Sequence, residues 1–131
     1  DIILSPALGG IVVGYEVGKQ LNVQAIFAER IDGKLILRRG FNISRHSNVL
    51  IVEDVITTGK SVLECSRIVK ISDANLIGYA CIIDRSDNTH AIKDKIVSQV
   101  KFKMATFKED KLPEDLKKIP AKKPGSRNLS K

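Results

Sequence analysis

The sequence predicts an α/β fold, a mainly parallel open sheet flanked by helices, and three observations predict it. Short apolar runs at residues 2–4, 23–28, 49–52 and 76–83 alternate with segments of helical periodicity. Strands that alternate with helices build parallel sheets, and they are apolar throughout because helices cover both faces. The chain has 131 residues, 43% hydrophobic and 28% charged, which suits one globular domain and excludes a disordered or collagen-like chain. Polar or glycine-rich loops at residues 5–10, 54–60 and 84–87 follow three of the apolar runs, and ligands bind at such strand ends in open sheets.

Taken in order, Ile2-Ile3-Leu4 reads as a buried strand and residues 5–10 as a loop. A helix is expected from about Gly10 to Leu21, where Ile11, Val12, Tyr15 and Leu21 recur beside polar Glu16, Lys19 and Gln20. Residues 23–28 form another strand, and residues 29–40 a hairpin-like excursion around an Asp32-Gly33 turn signal. Residues 48–53 are the strongest strand of the chain. A Gly/Thr-rich loop at 54–60 then leads into a helix from about Ser61 to Lys70, where Ser61 and Glu64 have capping-box spacing. Residues 76–83 read as a buried strand ending in Asp84-Arg85-Ser86, and a weaker strand is expected at 101–105. Beyond Leu112 come Pro113, Pro120, Pro124 and Gly125 among many lysines. The reading is a core at 1–111 and a basic tail at 112–131 with one short helix, without internal repeats. A buried strand that opens at residue 2, after Asp1 rather than Met, leads to the expectation of an N-terminally incomplete core.

The formal charge of +7 first suggests a polyanionic partner. Its placement argues otherwise. Residues 1–100 carry 12 basic against 11 acidic side chains, and residues 101–131 carry 10 against 4. Aromatics make up 5% and there is no Trp, so stacking platforms for single strands are scarce and nucleic acid is not expected as a partner. No apolar run approaches the roughly 20 residues of a membrane helix, and no export signal is visible. The expectation is a cytoplasmic protein away from membranes. Cys65 and Cys81 form no CxxC or Cys/His cluster, so they read as reduced thiols packed like small hydrophobes. His46 and His90 pair with neither.

The chemistry concentrates in residues 49–61, Val-Leu-Ile-Val-Glu-Asp-Val-Ile-Thr-Thr-Gly-Lys-Ser. A loop entering a helix offers unpaired N–H groups and the positive end of the helix dipole. Thr57, Thr58 and Ser61 add hydroxyls, Gly59 admits close approach, and together they suit a phosphate cradle. Glu53 and Asp54 would repel a bare phosphate. They suit sugar hydroxyls and a Mg²⁺ ion instead, so the combination fits a ribose phosphate. Thr58-Gly59-Lys60-Ser61 ends like a Walker A loop, but the first glycine which that motif requires is absent.

These residues resemble a known family. Residues 52–61 are similar to the phosphoribosyl-pyrophosphate signature of type I phosphoribosyltransferases, and Ser5-Pro6-Ala7-Leu8-Gly9-Gly10 resembles their pyrophosphate loop. Phe27-Ala28-Glu29-Arg30, Leu37-Arg38-Arg39-Gly40-Phe41, Ile83-Asp84-Arg85-Ser86 and the Ile119-to-Arg127 ending narrow the resemblance to orotate phosphoribosyltransferases. The resemblance implies transfer of ribose 5-phosphate to orotate with Mg²⁺, in pyrimidine synthesis. The Mg²⁺ would be held mainly through substrate, with Glu53 and Asp54 as protein ligands. It implies phosphoribosyl-pyrophosphate binding by Glu53, Asp54, Val55, Ile56, Thr57, Thr58, Gly59, Lys60 and Ser61. Asp54 and Arg30 would act in catalysis, and Thr57 and Arg85 would contact orotate. Arg85 has an independent rationale, because a guanidinium grips a carboxylate in a charge-assisted fork; an ion pair with Asp84 or Asp87 is its structural alternative. Arg30, Lys34, Arg38 and Arg39 lie on the excursion that would form a lid, which in the family reaches the neighbouring subunit of a homodimer. Two departures stand out: Gly9 replaces a lysine common in the family, and the lid loop is short. A phosphoribosyltransferase for another base, a non-catalytic phosphoribosyl-pyrophosphate sensor and an inactive fragment are the alternatives.

Overall fold

Five successive buried residues form β1 (Ile2–Pro6), an inner strand of the computed structural model, which describes residues 1–86, 92–105 and 107–120. The chain continues through α1 (Gly10–Leu21), β2 (Gln24–Ile31), β3 (Lys34–Leu37), β4 (Asn48–Ile56), α2 (Lys60–Ile71), β5 (Asn75–Asp84) and β6 (Ile96–Lys101). A 3-10 turn at Glu109–Lys111 and the four-residue α3 (Glu114–Lys117) follow. All six strands join one sheet in the order β3-β2-β1-β4-β5-β6. Every neighbouring pair is parallel except the hairpin β2–β3, so the expected α/β architecture is present. That hairpin turns at Asp32 and Gly33, both at positive φ (48° and 80°), as a two-residue turn matching strand twist requires. No helix among the described residues is long and apolar enough to cross a membrane.

Two helices cover opposite faces. Alternation along β1 sends Ile3 and Ser5 toward α1, while Ile2 and Leu4 join the cluster of Ile26, Val49, Ile51, Val62, Cys65 and Val69 beneath α2. The apolar residues that mark α1 in the sequence are not its buried face. Val12, Tyr15 and Leu21 are exposed, and the helix buries Gly10, Gly14 and Gly18 instead. The reason is close approach: a Cβ at Gly14 would lie 2.0 Å from Ser5 Oγ, and one at Gly18 2.9 Å from Ala25 Cβ. A glycine row at four-residue spacing lays the backbone of α1 directly on the sheet.

Three further expectations change. β4 runs to Ile56, so Asp54 joins Glu53 in the strand rather than belonging to the loop. The last strand is Ile96–Lys101, not residues 101–105, because β5 ends at Asp84 opposite Lys101 and offers no partner beyond it. The capping box does not form: Gly59, at φ 75°, takes the N-cap of α2 with no side-chain cap bond. Both thiols are buried and free, as expected. Burial pushes the Cys65 thiol up to about 12, helped by the nearby Glu53 and Glu64 charges, and Cys81 up to about 11. His90, Asp87 and residues 121–131 lie outside the described residues.

Candidate functional site

Parallel β1, β4 and β5 release their carboxyl ends at one edge of the sheet. The sheet order reverses between β1 and β4, since β2 and β3 are added on one side of β1 and β4 to β6 on the other. A crevice at such a switch point is where ligands bind in open sheets, and the loop after β1 meets the end of β4 there.

The contact is intimate. A Cβ at Gly9 would fall 2.3 Å from Asp54 Oδ2, and one at Gly10 would fall 3.1 Å from Glu53 Oε1. Both carboxylates therefore lean against the first loop, whose Ala7–Leu8 peptide is cis. The Val55 N–H donates to Asp54 Oδ1 at 2.8 Å, which fixes that carboxylate at the strand end. Glu53 is buried and Asp54 half-buried. The Gly9 departure thus has a local cause: the Asp54 carboxylate occupies the space that a side chain at position 9 would need.

Past β4 the chain wraps a cavity of about 110 Å³ lined by Glu53 and residues 55–62. Thr57, Thr58 and Lys60 are exposed on its rim, and Ser61 is half-buried. Thr58 Oγ1 accepts a long bond (3.4 Å) from the Lys60 N–H. With no side chain capping α2, the helix opens toward the cavity with its positive end. Ile92 packs against Gly59, where a Cβ would meet Ile92 Cδ1 at 2.7 Å. The structure therefore gathers Glu53 and residues 55–61 around one small cavity, with Asp54 directed beside it toward Gly9. A larger cavity of about 510 Å³ lies along α2 between Leu63, Val69, Leu76 and Tyr79. It carries no loop of hydroxyls at a helix start, so the smaller one holds the candidate chemistry.

Arg85 stands at the end of β5. Its N–H donates to the Ile56 carbonyl at 2.8 Å, which ties it to the strand end that precedes Thr57. The Arg85 Nε is buried without an acceptor among the described residues. Asp84 is not its partner. That carboxylate is 2% exposed and accepts from the Ser86 hydroxyl, the Ser86 N–H at 2.8 Å and Lys101 Nζ at 3.2 Å. Burial alone would raise the Asp84 carboxyl, but the Ser86 and Lys101 contacts overcome it and hold it below the usual carboxylate range.

Two of the four lid cations hold acidic partners. Arg30 Nη1 donates to the Gly33 carbonyl at 2.6 Å and to Glu64 Oε2 at 2.8 Å. Arg39 forks onto Glu29 (3.0 and 2.9 Å) and lies 6.0 Å from the Phe27 ring centre, which in turn meets Phe41 edge-on. The Arg39 bond holds the Glu29 carboxyl down. Lys34 and Arg38 are exposed. Sequence reasoning missed Glu64 as the partner of Arg30 because its capping-box spacing supplied a local role, and nothing local signals a contact 34 positions away.

The chain is similar to known proteins. A family model described as the phosphoribosyl transferase domain matches residues 1–111. The chain is 40% identical over 130 residues (99% of this chain, 67% of the relative) to the orotate phosphoribosyltransferase of Parvibaculum lavamentivorans. It is 46% identical over 132 residues (100% of this chain, 67% of the relative) to that of Methylorubrum extorquens. It therefore spans about two thirds of the length of the curated relatives it matches. Among solved structures, an adenine phosphoribosyltransferase from Thermoanaerobacter pseudethanolicus shares the fold with a TM-score of 0.68 at 16% identity, covering 78% of this chain and 70% of that one.

Proposed function

The chain belongs to the orotate phosphoribosyltransferase family, and from that membership we propose that it transfers ribose 5-phosphate from phosphoribosyl pyrophosphate to orotate. The products are orotidine 5′-phosphate and pyrophosphate, in the synthesis of pyrimidine nucleotides. The observation that carries the choice of base is Arg85, whose buried Nε meets no acceptor among the described residues. A buried donor without a partner is costly, and a ligand carboxylate supplies what it lacks. Orotate carries one; the common nucleobases do not.

The residues divide the work. Residues 57–61 bind the 5′-phosphate with hydroxyls, backbone N–H groups and the start of α2. Glu53 and Asp54 accept hydrogen bonds from the ribose hydroxyls. Arg85 grips the orotate carboxylate, and Thr57 orients the ring. The bond from ribose C1 to pyrophosphate breaks with its electron pair leaving on pyrophosphate, while an orotate ring nitrogen bonds C1 and gives up its proton. Arg30 offsets the charge that grows on the leaving group, and closure of the β2–β3 hairpin keeps water out.

Mg²⁺ fits this donor set. Two adjacent carboxylates, with no group of three His, Cys, Asp or Glu able to hold a metal among the described residues, suit an ion that takes most of its oxygens from substrate and water. Bound there through Glu53 and Asp54, it would neutralise pyrophosphate charge. A core at 1–111 with a basic tail and a cytoplasmic setting, read from composition, and a homodimer sharing its sites through the hairpin, implied by the family resemblance, complete the reading.

The test is turnover of a panel of bases with phosphoribosyl pyrophosphate and Mg²⁺. Orotate alone among orotate, uracil, adenine and hypoxanthine should be consumed. Turnover of another base overturns the substrate, and binding of phosphoribosyl pyrophosphate with no turnover points to a sensor or an inactive fragment.

A further inference from the structure

Glu64 sits on the second turn of α2, four residues after Lys60 and three after Ser61, so it shares a helix face with the start of the cradle. Its carboxylate is 16% exposed and binds Arg30, 30% exposed, at 2.8 Å. The same Arg30 nitrogen binds the carbonyl of Gly33 in the hairpin turn. One nitrogen thus closes two contacts, one along the hairpin and one to the cradle helix. The other edge of the guanidinium, Nε and Nη2, meets no acceptor among the described residues. Arg39, by contrast, spends two nitrogens on Glu29. Arg30 is therefore a partly covered cation, held by one side and open on the other.

We propose that Glu64 is a positioning residue for the transfer reaction: it holds Arg30 by one edge, so that the other edge is presented to the pyrophosphate and the hairpin shares a support with the phosphate cradle. This rests on the reading of Arg30 as the cation that meets pyrophosphate. A long arginine has several rotamers, and fixing it before the charge develops removes an ordering cost from the transition state. A partly buried pair is also less screened by water than an exposed one.

The test is a double-mutant cycle in the full chain with Glu64→Gln, Glu64→Asp, Arg30→Ala and the Glu64→Gln/Arg30→Ala double variant. Turnover, the KM of each substrate, binding of inorganic pyrophosphate with Mg²⁺, and the melting midpoint are measured for each. Glu64→Gln should lower kcat and pyrophosphate affinity about tenfold, the size of a coupled-pair loss, with the KM for orotate unchanged. Glu64→Asp should recover most of both. Arg30→Ala should cost about 100-fold in kcat, and the double variant should be no worse than Arg30→Ala. Wild-type kcat and pyrophosphate affinity in Glu64→Gln overturn the inference, as does a double variant whose loss is the product of the single losses. A change confined to the melting midpoint also overturns it, because a purely structural pair leaves pyrophosphate affinity alone. Arg30→Ala with unchanged kcat and affinity sinks the reading of Arg30 itself, a different failure. Pyrophosphate binding decides the matter even for a chain that turns over slowly.

Discussion

Replacing Arg85 with Ala separates a ligand-binding cation from a structural one. The Arg85 N–H keeps its bond to the Ile56 carbonyl whatever the side chain, so the strand end stays in place. What disappears is a guanidinium whose Nε is buried without an acceptor among the described residues. If it binds the orotate carboxylate, the loss is that of one partner in a desolvated charge pair, about 2–5 kcal/mol. The residue is half-buried, which favours the lower part of that range, about 3 kcal/mol or roughly 100-fold in the KM for orotate. The KM for phosphoribosyl pyrophosphate should move less than about twofold. Stability should respond in the opposite sense. Removing an unsatisfied buried donor relieves a penalty on the order of 1 kcal/mol, so the melting midpoint should hold or rise. Arg85→Lys keeps the charge but loses the fork, and should fall between, about tenfold in orotate KM. Steady-state kinetics with each substrate varied, beside thermal melts, measure all of this. An unchanged orotate KM, an equal rise for both substrates, or a destabilised Arg85→Ala variant would each refute the reasoning.

Asp54→Asn should keep the fold and lose about 10- to 100-fold in turnover, since it weakens charge-assisted bonds to the ribose hydroxyls; an unchanged rate removes the ribose role. Gly14→Ala drives a Cβ to within 2.0 Å of Ser5 Oγ and should destabilise the chain by about 1–3 kcal/mol in a denaturant melt, whereas wild-type stability would mean that α1 does not rest on its glycine row. Both thiols are held protonated, with values near 12 for Cys65 and 11 for Cys81. The unfolded chain releases these protons at lower pH, so stability should fall as pH rises from the ordinary thiol range toward those values. At pH 8 a thiol reagent should label neither cysteine until the chain unfolds, and prompt labelling would contradict their burial.

Legibility in the sequence followed the range of the physics involved. Apolar runs and loop chemistry are local, so β1, β4, β5 and the α1 span of Gly10–Leu21 are readable from neighbours alone. The Asp32-Gly33 turn is local too, because its backbone demands residues that tolerate positive φ. The glycine face of α1 was less legible. Hydrophobic periodicity points to Val12 and Tyr15, whereas steric closeness to Ser5 and Ala25 decides the packing. β6 lay too late in the sequence reading because its register is set by β5, which ends at Asp84. The cradle loop is visible as a motif, and the structure gathers it around one cavity. The Arg30–Glu64 pair and the seat of Asp54 on Gly9 join segments far apart in the chain, and no spacing rule encodes them.

The proposed function makes these contacts one site with three receptors: hydroxyls and N–H groups for a phosphate, two carboxylates for a sugar, and a cation for a carboxylate. The most direct measurement of that claim is pyrophosphate released by the full chain from phosphoribosyl pyrophosphate with Mg²⁺, counted against orotate lost from its ultraviolet absorbance. The account predicts one pyrophosphate for each orotate, and none when orotate is withheld. Pyrophosphate release that proceeds without orotate, or orotate left intact in the presence of both other components, would contradict it.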